Sequence, residues 1–249
     1  MARSRSGLRS RSTAAAFRSL SLMSGIEGRC LGLVGGLGPN ATVYYYNGLI
    51  AAHKAHGRVA RMLIAHADVD HGRPLAEAGK LDELARYLNG FIDATVAGGA
   101  ELAAIVAVTP HICAAQLRPL LKIPLIDMIS VVADEIRARG LKRIALLGTR
   151  STVESRMFGR LGVDVAMPRQ DEIDFIHNAY LDVVYDRSTP AGIDRLRELA
   201  HTLIKRDGAE SVLLAGTDLS MVLNEASAGF PTIDCAGVHI VAITKRLLS

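Results

Sequence analysis

The chain reads as an α/β protein made of two similar doubly wound domains, each with a parallel sheet, facing each other across an interdomain cleft. Three observations lead there. Short runs of consecutive apolar residues alternate with longer helix-like stretches. Unbroken apolar runs mark strands covered on both faces, and regular β/α alternation builds a doubly wound sheet. The pattern also runs twice. Each half opens with a strand ending in a polar loop, LVGGLGPNAT and then LLGTRSTVES, and each later has a strand ending in a threonine motif, AIVAVTPH (Ala104–His111) and VLLAGTDL (Val212–Leu219). Finally, 249 residues, of which 49% are hydrophobic and 22% charged, suffice for two compact halves with a sizeable core.

Taken in order, the apolar runs place strands at Leu31–Gly35, Met62–Ala67, Leu102–Val108, Pro124–Asp127, Ile144–Thr149, Asp164–Met167, Ser211–Ala215 and Thr232–Asp234. Helical stretches fall between them at Ala41–His56, Leu81–Ala97, Ile129–Arg139, Thr152–Gly159, Asp171–Asp186 and Gly192–Arg206, with a last helix over about Gly237–Leu248. No long linker separates the halves. The expected division is 27–127 with 229–249 in the first domain and 128–228 in the second, joined by a short hinge near Asp127–Met128. The strand ends carrying both threonine motifs then meet at the carboxyl side of the sheets, where open α/β sheets bind ligands.

Charge needs care. Met1–Leu22 contains Arg3, Arg5, Arg9, Arg11 and Arg18 and no acidic residue. Setting these five aside leaves 24 basic residues against 25 acidic ones, so the formal charge of +4 belongs to the leader. The body is near neutral, which gives no argument for a nucleic-acid partner. Residues 1–26 read as a leader or an upstream extension with a working start at Met23, and the alternative is an organelle-targeting peptide. No apolar run approaches a membrane span. Cys30, Cys113 and Cys235 form no CxxC pair and no metal spacing, which fits a reduced, cytoplasmic protein.

Four motifs carry possible chemistry, each with a plainer reading. Gly35-Gly36-Leu37-Gly38-Pro39-Asn40-Ala41-Thr42 follows a strand and opens a helix, a place where free N–H groups meet anions, or merely a tight turn. Ala107-Val108-Thr109-Pro110-His111 offers a hydroxyl and a histidine, or an N-cap and a structural histidine. Ala215-Gly216-Thr217-Asp218-Leu219 offers a close approach and an acid, or again a cap. His66-Ala67-Asp68-Val69-Asp70-His71-Gly72-Arg73 reads as a loop. Its His and Asp residues are metal-ligand types, but no partner elsewhere completes a site, so no metal is expected and Arg73 is read as a carboxylate binder.

Together these motifs resemble the aspartate/glutamate racemase superfamily over Leu31–Leu248. GGLGPNAT is similar to the family's GGMGPxAT. VTPH stands where the family has Cys-Asn-Thr-x-His, and AGTDL where it has Gly-Cys-Thr-Glu-Leu. IALLGTRSTVES and PTIDCAGVHI also fit. The resemblance implies two opposed thiols flanking a substrate α-carbon, one removing a proton and one delivering it. In this chain Ala107 and Gly216 occupy those two positions, and neither side chain carries a proton. The resemblance further implies that Gly36, Leu37, Arg73, Thr109, Thr152 and Thr217 contact substrate. It makes His111 and Asp218 the candidates for a remaining acid–base role, with His66, His71 and Asp70 behind them. Some relatives place a carboxylate-binding lysine in the second half. Ser151–Ile204 has none, and Arg187 is the nearest substitute.

The functional reading is an amino-acid racemase-like, cofactor-independent isomerase acting at the α-carbon of a small carboxylate, with its usual two-thiol chemistry displaced. Two alternatives stand beside it: a decarboxylase or lyase-type relative using one remaining acid–base group, and a non-catalytic protein that binds a dicarboxylate or amino acid. Phosphate-loop, nicotinamide and pyridoxal signatures are absent, so no cofactor is expected. The expected partner is a small molecule, not nucleic acid or membrane. A homodimer is implied by the resemblance alone.

Overall fold

The computed structural model describes residues 28–249, so the basic leader lies outside the described residues. Two parallel sheets form the frame. In the first, β1 (Leu31–Gly35) is flanked by β2 (Met62–His66) and β3 (Leu102–Ile105), in the order β2-β1-β3. In the second, β4 (Arg143–Gly148) lies between β5 (Asp164–Ala166) and β6 (Ser211–Ala215), and β7 (Thr232–Asp234) extends the far edge, giving β5-β4-β6-β7. The shared order of the first three strands in each sheet matches the duplication in the sequence.

The connecting helices are α1 (Pro39–Ala55), α2 (Val69–Glu77), α3 (Leu81–Ala97), the single turn α4 (Ala114–Leu117), α5 (Met128–Ala138), α6 (Arg150–Glu154), α7 (Gln170–Val184), α8 (Pro190–Asp207) and α9 (Cys235–Leu248). Among the described residues four short 3₁₀ segments, Thr109–Cys113, Arg118–Leu120, Arg156–Leu161 and Thr217–Met221, follow strands or helix ends. Among the described residues no helix is long and apolar enough to cross a membrane.

The alternation of strand side chains explains the layering. Leu31 and Leu33 of β1, with Ile144 and Leu146 of β4, point into one central core that also takes in Tyr45 and Leu49 of α1, Ile129 and Val132 of α5, and Ile240 and Ile243 of α9. The opposite faces are covered separately. Val34 and Ile105 pack under α3 through Leu84, Leu88 and Ile92. Ala145, Leu147, Val212 and Leu214 pack under α7 and α8 through Ile176, Leu196 and Leu203. Each central strand is therefore apolar on both faces, which is why its sequence run is unbroken. The edge strand β2 is only half covered, and Ile64 is exposed.

Several boundaries differ from the sequence reading. Pro124–Asp127 makes only an isolated bridge, Ala103 to Leu125, rather than a ladder. β3 ends at Ile105, three residues short of Val108. The stretch read as a loop from His66 to Arg73 contains the start of α2, capped by Asp68, whose Oδ1 accepts from the Asp70 N–H at 2.8 Å. Gly72 and Pro74 lie inside that helix and break the apolar period that would have disclosed it. Thr152–Gly159 divides into α6 and a 3₁₀ turn at Ser155.

Candidate functional site

The site is assembled where strand ends of both halves converge. On the first side, β1 runs into Gly36, which has a positive φ of 84°. A Cβ there would overlap the Ala67 carbonyl and stand 2.9 Å from the His66 ring, so this turn requires glycine on two counts. The Gly36 N–H is not free for a ligand, because it donates to Thr42 Oγ1 at 2.9 Å. Leu37 projects into the cleft. After β3 the chain passes Ala107, Val108 and Thr109, which also line the cleft.

On the second side, Thr149 caps α6 by accepting from the Thr152 N–H at 3.2 Å. Its hydroxyl donates to Thr152 Oγ1 at 2.7 Å, and Thr152 Oγ1 lies 3.1 Å from Thr109 Oγ1. Ser151 Oγ adds a further link 3.1 Å from Thr149. This run of hydroxyls ties the two halves together. Thr217 makes another tie, donating to the Val106 carbonyl at 3.3 Å. Thr152 and Thr217 are both buried, so their hydroxyls serve this frame, whereas Thr109 and Thr149 line the cleft.

Gly216 follows β6 with φ −164°, extended backbone that any residue adopts. Its lack of a side chain is a matter of space. A Cβ on Gly216 would overlap Tyr180 Cε2 and lie 2.9 Å from Cζ and 3.0 Å from Cδ2. Tyr180, from α7, thus fills the room a side chain at 216 would need. Its hydroxyl donates to Asp218 Oδ2 at 2.9 Å, and both residues are buried. The Asp218 carboxyl presses against the first-half loop: a Cβ on Gly38 would be 2.7 and 2.8 Å from its two oxygens. Burial raises the Asp218 pKa, only partly offset by hydrogen bonds from Tyr180 and from the backbone at Ala41 and Asp218. Among the described residues Oδ1 has no partner within normal hydrogen-bond geometry. Burial, then the charge and hydrogen bond of Asp218, push the Tyr180 phenol well above its ordinary value.

Between these walls lies a cavity of about 60 Å³. Its polar lining includes Arg73, Thr109, Ser151, His177 and Tyr185, with Ala107 on the first-half side and Tyr180 on the second. The Arg73 guanidinium lies 3.7 Å from Asp70, 3.8 Å from Glu77 and 3.4 Å from the Tyr185 hydroxyl, while its buried Nε has no hydrogen-bond partner among the described residues. His177 accepts from the Arg150 N–H through Nδ1 at 3.3 Å, which places the proton of the neutral ring on Nε2. Burial and then Arg150 hold the His177 pKa below its ordinary value, so the ring is a neutral donor near pH 7.

The sequence-derived candidates therefore separate. Leu37, Arg73 and Thr109 line the cavity. Gly36, Thr152, Thr217 and Asp218 lie directly behind it. His111 stands apart: its side chain is fully buried, 3.9 Å from Asp127 and 6.5 Å, ring to ring, from His239. His111 belongs to a polar core in which Arg160 donates to Asp127 at 2.6 Å and His239 bridges Tyr45 and the Ile126 carbonyl. Burial lowers the His111 pKa. His71 stacks on Tyr87 at 4.5 Å, and Arg187 pairs with Asp182 on the exposed surface. His177 and Tyr180 escaped the sequence reading. The signal was a polar pair on the apolar face of α7, since His177, Tyr180, Leu181 and Val184 share one helical stripe and all four line the cavity.

Known proteins place this arrangement in context. The profile of the family described as Asp/Glu/Hydantoin racemase matches residues 34–243. A putative Asp/Glu racemase from Yersinia pestis superposes with TM-score 0.78 at 23% identity, covering 89% of this chain and 100% of that one. An aspartate racemase from Picrophilus torridus gives 0.70 at 23%, over 88% and 96% of the two chains. Glutamate racemase from Francisella tularensis, solved with D-glutamate, gives 0.58 at 12%, over 87% and 80%. At these identities the structural likeness is one of fold.

Proposed function

The chain belongs to the Asp/Glu/hydantoin racemase family, and on that premise we propose that its cleft binds a small dicarboxylate or acidic amino acid without racemising it through two opposed acid–base groups. One observation carries the reading. At the two positions that resemble the family's thiols, Ala107 presents a methyl group, and the side-chain room of Gly216 is filled by the ring of Tyr180. Racemisation by two bases needs a proton carrier on each face of the α-carbon, and these two positions supply none. What the cleft retains is suited to holding a carboxylate: a guanidinium with an unpaired Nε, a neutral imidazole donor and the hydroxyls of Thr109 and Ser151.

The test is titration calorimetry with malonate, succinate and both enantiomers of aspartate and glutamate, on the same protein assayed for enantiomer interconversion. Saturable binding without interconversion is expected. Failure of every one of these ligands to bind would remove the carboxylate assignment.

Asp218 favours a second reading. A buried carboxyl whose pKa burial raises, joined to Tyr180 at 2.9 Å, is an acid–base group on one side of the cleft only. Such a site fits one-sided chemistry, a decarboxylation, elimination or isomerisation, better than racemisation. His111 has no part in this reading, because its side chain is sealed in the core. Asp218→Asn would then abolish turnover and leave ligand affinity nearly unchanged; turnover at the wild-type rate would dismiss the role.

A further inference from the structure

We infer that Tyr180 is the residue that sets the length of ligand the cleft accepts, acting as a fixed plug at its second-half end; this rests on the carboxylate reading above. The plug is defined by volume. The ring takes the space of a residue-216 side chain, and the same residue lines the cavity, so the cavity ends at the ring. It is also anchored. The Tyr180 hydroxyl donates to Asp218 Oδ2, and the Asp218 carboxyl is wedged against Gly38 of the first-half loop. Swinging the ring aside would remove the side-chain hydrogen bond that this carboxyl, 1% exposed, accepts through Oδ2. An unpaired buried acceptor is costly, so the ring is held in place. His177 and Leu181, on the same face of α7, flank the ring along the cavity wall. A glycine at 216 and a tyrosine at 180 are therefore one device: the first leaves the room and the second uses it to shorten the cleft.

Two variants and two readouts test this. Malonate, succinate and glutarate differ by single methylenes, and their affinities for the wild type, Tyr180→Phe and Tyr180→Ala are compared by calorimetry. Tyr180→Phe keeps the ring and is expected to keep the wild-type length ranking. Tyr180→Ala opens the end of the cavity and is expected to shift the ranking toward glutarate by about tenfold, the scale of room for one methylene. The second readout needs no ligand. Gly216→Cys is expected to lower the melting temperature when Tyr180 is present and to be better tolerated when combined with Tyr180→Ala, where iodoacetamide should label position 216. A folded Tyr180→Ala protein with the wild-type ranking overturns the inference alone. Gly216→Cys as stable as the wild type and labelled with Tyr180 in place overturns it as well. Absence of diacid binding in every protein overturns the carboxylate reading, and the length selectivity with it, while the thiol readout still decides whether the ring fills that space.

Discussion

The two strand-end motifs share a backbone plan and differ in what fills them. After β3, Ala107 is buried and lines the cavity. After β6, Gly216 shows nothing, and a side chain from α7 takes its room. The polar residues that follow differ too. His111, four residues past Ala107, is folded into a core with Asp127 and His239, whereas Asp218, two residues past Gly216, sits against the cleft wall through Tyr180. Internal repetition preserves the frame, while the content of a site depends on which neighbouring element sends a side chain into it.

One atom added at each position separates the two motifs most strongly. Gly216→Ala forces a methyl into the Tyr180 ring and is expected to destabilise the protein by about 3 kcal/mol, the upper range for overpacking a core. Ala107→Ser adds its atom at the cavity lining and should change stability by about 0.5 kcal/mol or less. Urea midpoints compare the two, and equal losses would show that the motifs are packed alike. Next, Tyr180→Phe removes the donor to a buried carboxyl and should cost about 1–3 kcal/mol, with no comparable effect from Tyr185→Phe, whose hydroxyl is a surface partner of Arg73.

The two motifs should also have opposite pH signatures. Burial raises the folded pKa of Asp218 above the unfolded value, so the native state keeps a proton that the unfolded chain loses first. The contribution of Asp218 to stability therefore falls as pH rises from about 4 through the folded pKa, by at most about 1.4 kcal/mol per pH unit. Burial lowers the folded pKa of His111, so there the unfolded chain takes the proton first and stability falls as pH drops below about 6.5. His239, depressed to about 3, adds to that acid-side loss. Asp218→Asn should flatten only the first slope and His111→Gln only the second, as read from denaturant titrations between pH 3 and 8. A single shared slope would contradict the assignment. The smallest effect expected concerns the cavity mouth: Arg73→Ala should weaken succinate binding by about 1 kcal/mol more than acetate binding, since a lost charged partner matters most to the second carboxylate.

Much of the frame was legible in the sequence because unbroken apolar runs such as those of β1, β4 and β6 have few other uses. The edge of the first sheet and the start of α2 were harder, since Gly72 and Pro74 mask a helical period and a strand needs a partner to become a ladder. The motifs supply Leu37, Arg73, Ala107 and Thr109 of the cavity lining. Tyr180 was not legible, because it lies 38 residues from the aspartate it bonds and its role depends on how α7 packs over β6. His177 is hidden in the same way. A side chain that fills another residue's space leaves no local mark in the sequence.

Incubating residues 23–249 in deuterated buffer with each enantiomer of aspartate and glutamate in turn, following the α-proton by NMR and the enantiomer ratio by chiral chromatography, with thermal shift as the measure of binding, decides whether this cleft holds an acidic ligand without racemising it. A ligand-dependent rise in melting temperature with an unchanged enantiomer ratio is expected. Conversion of either enantiomer into the other, with deuterium at the α-carbon, would show a proton carrier on each face and overturn the proposed function.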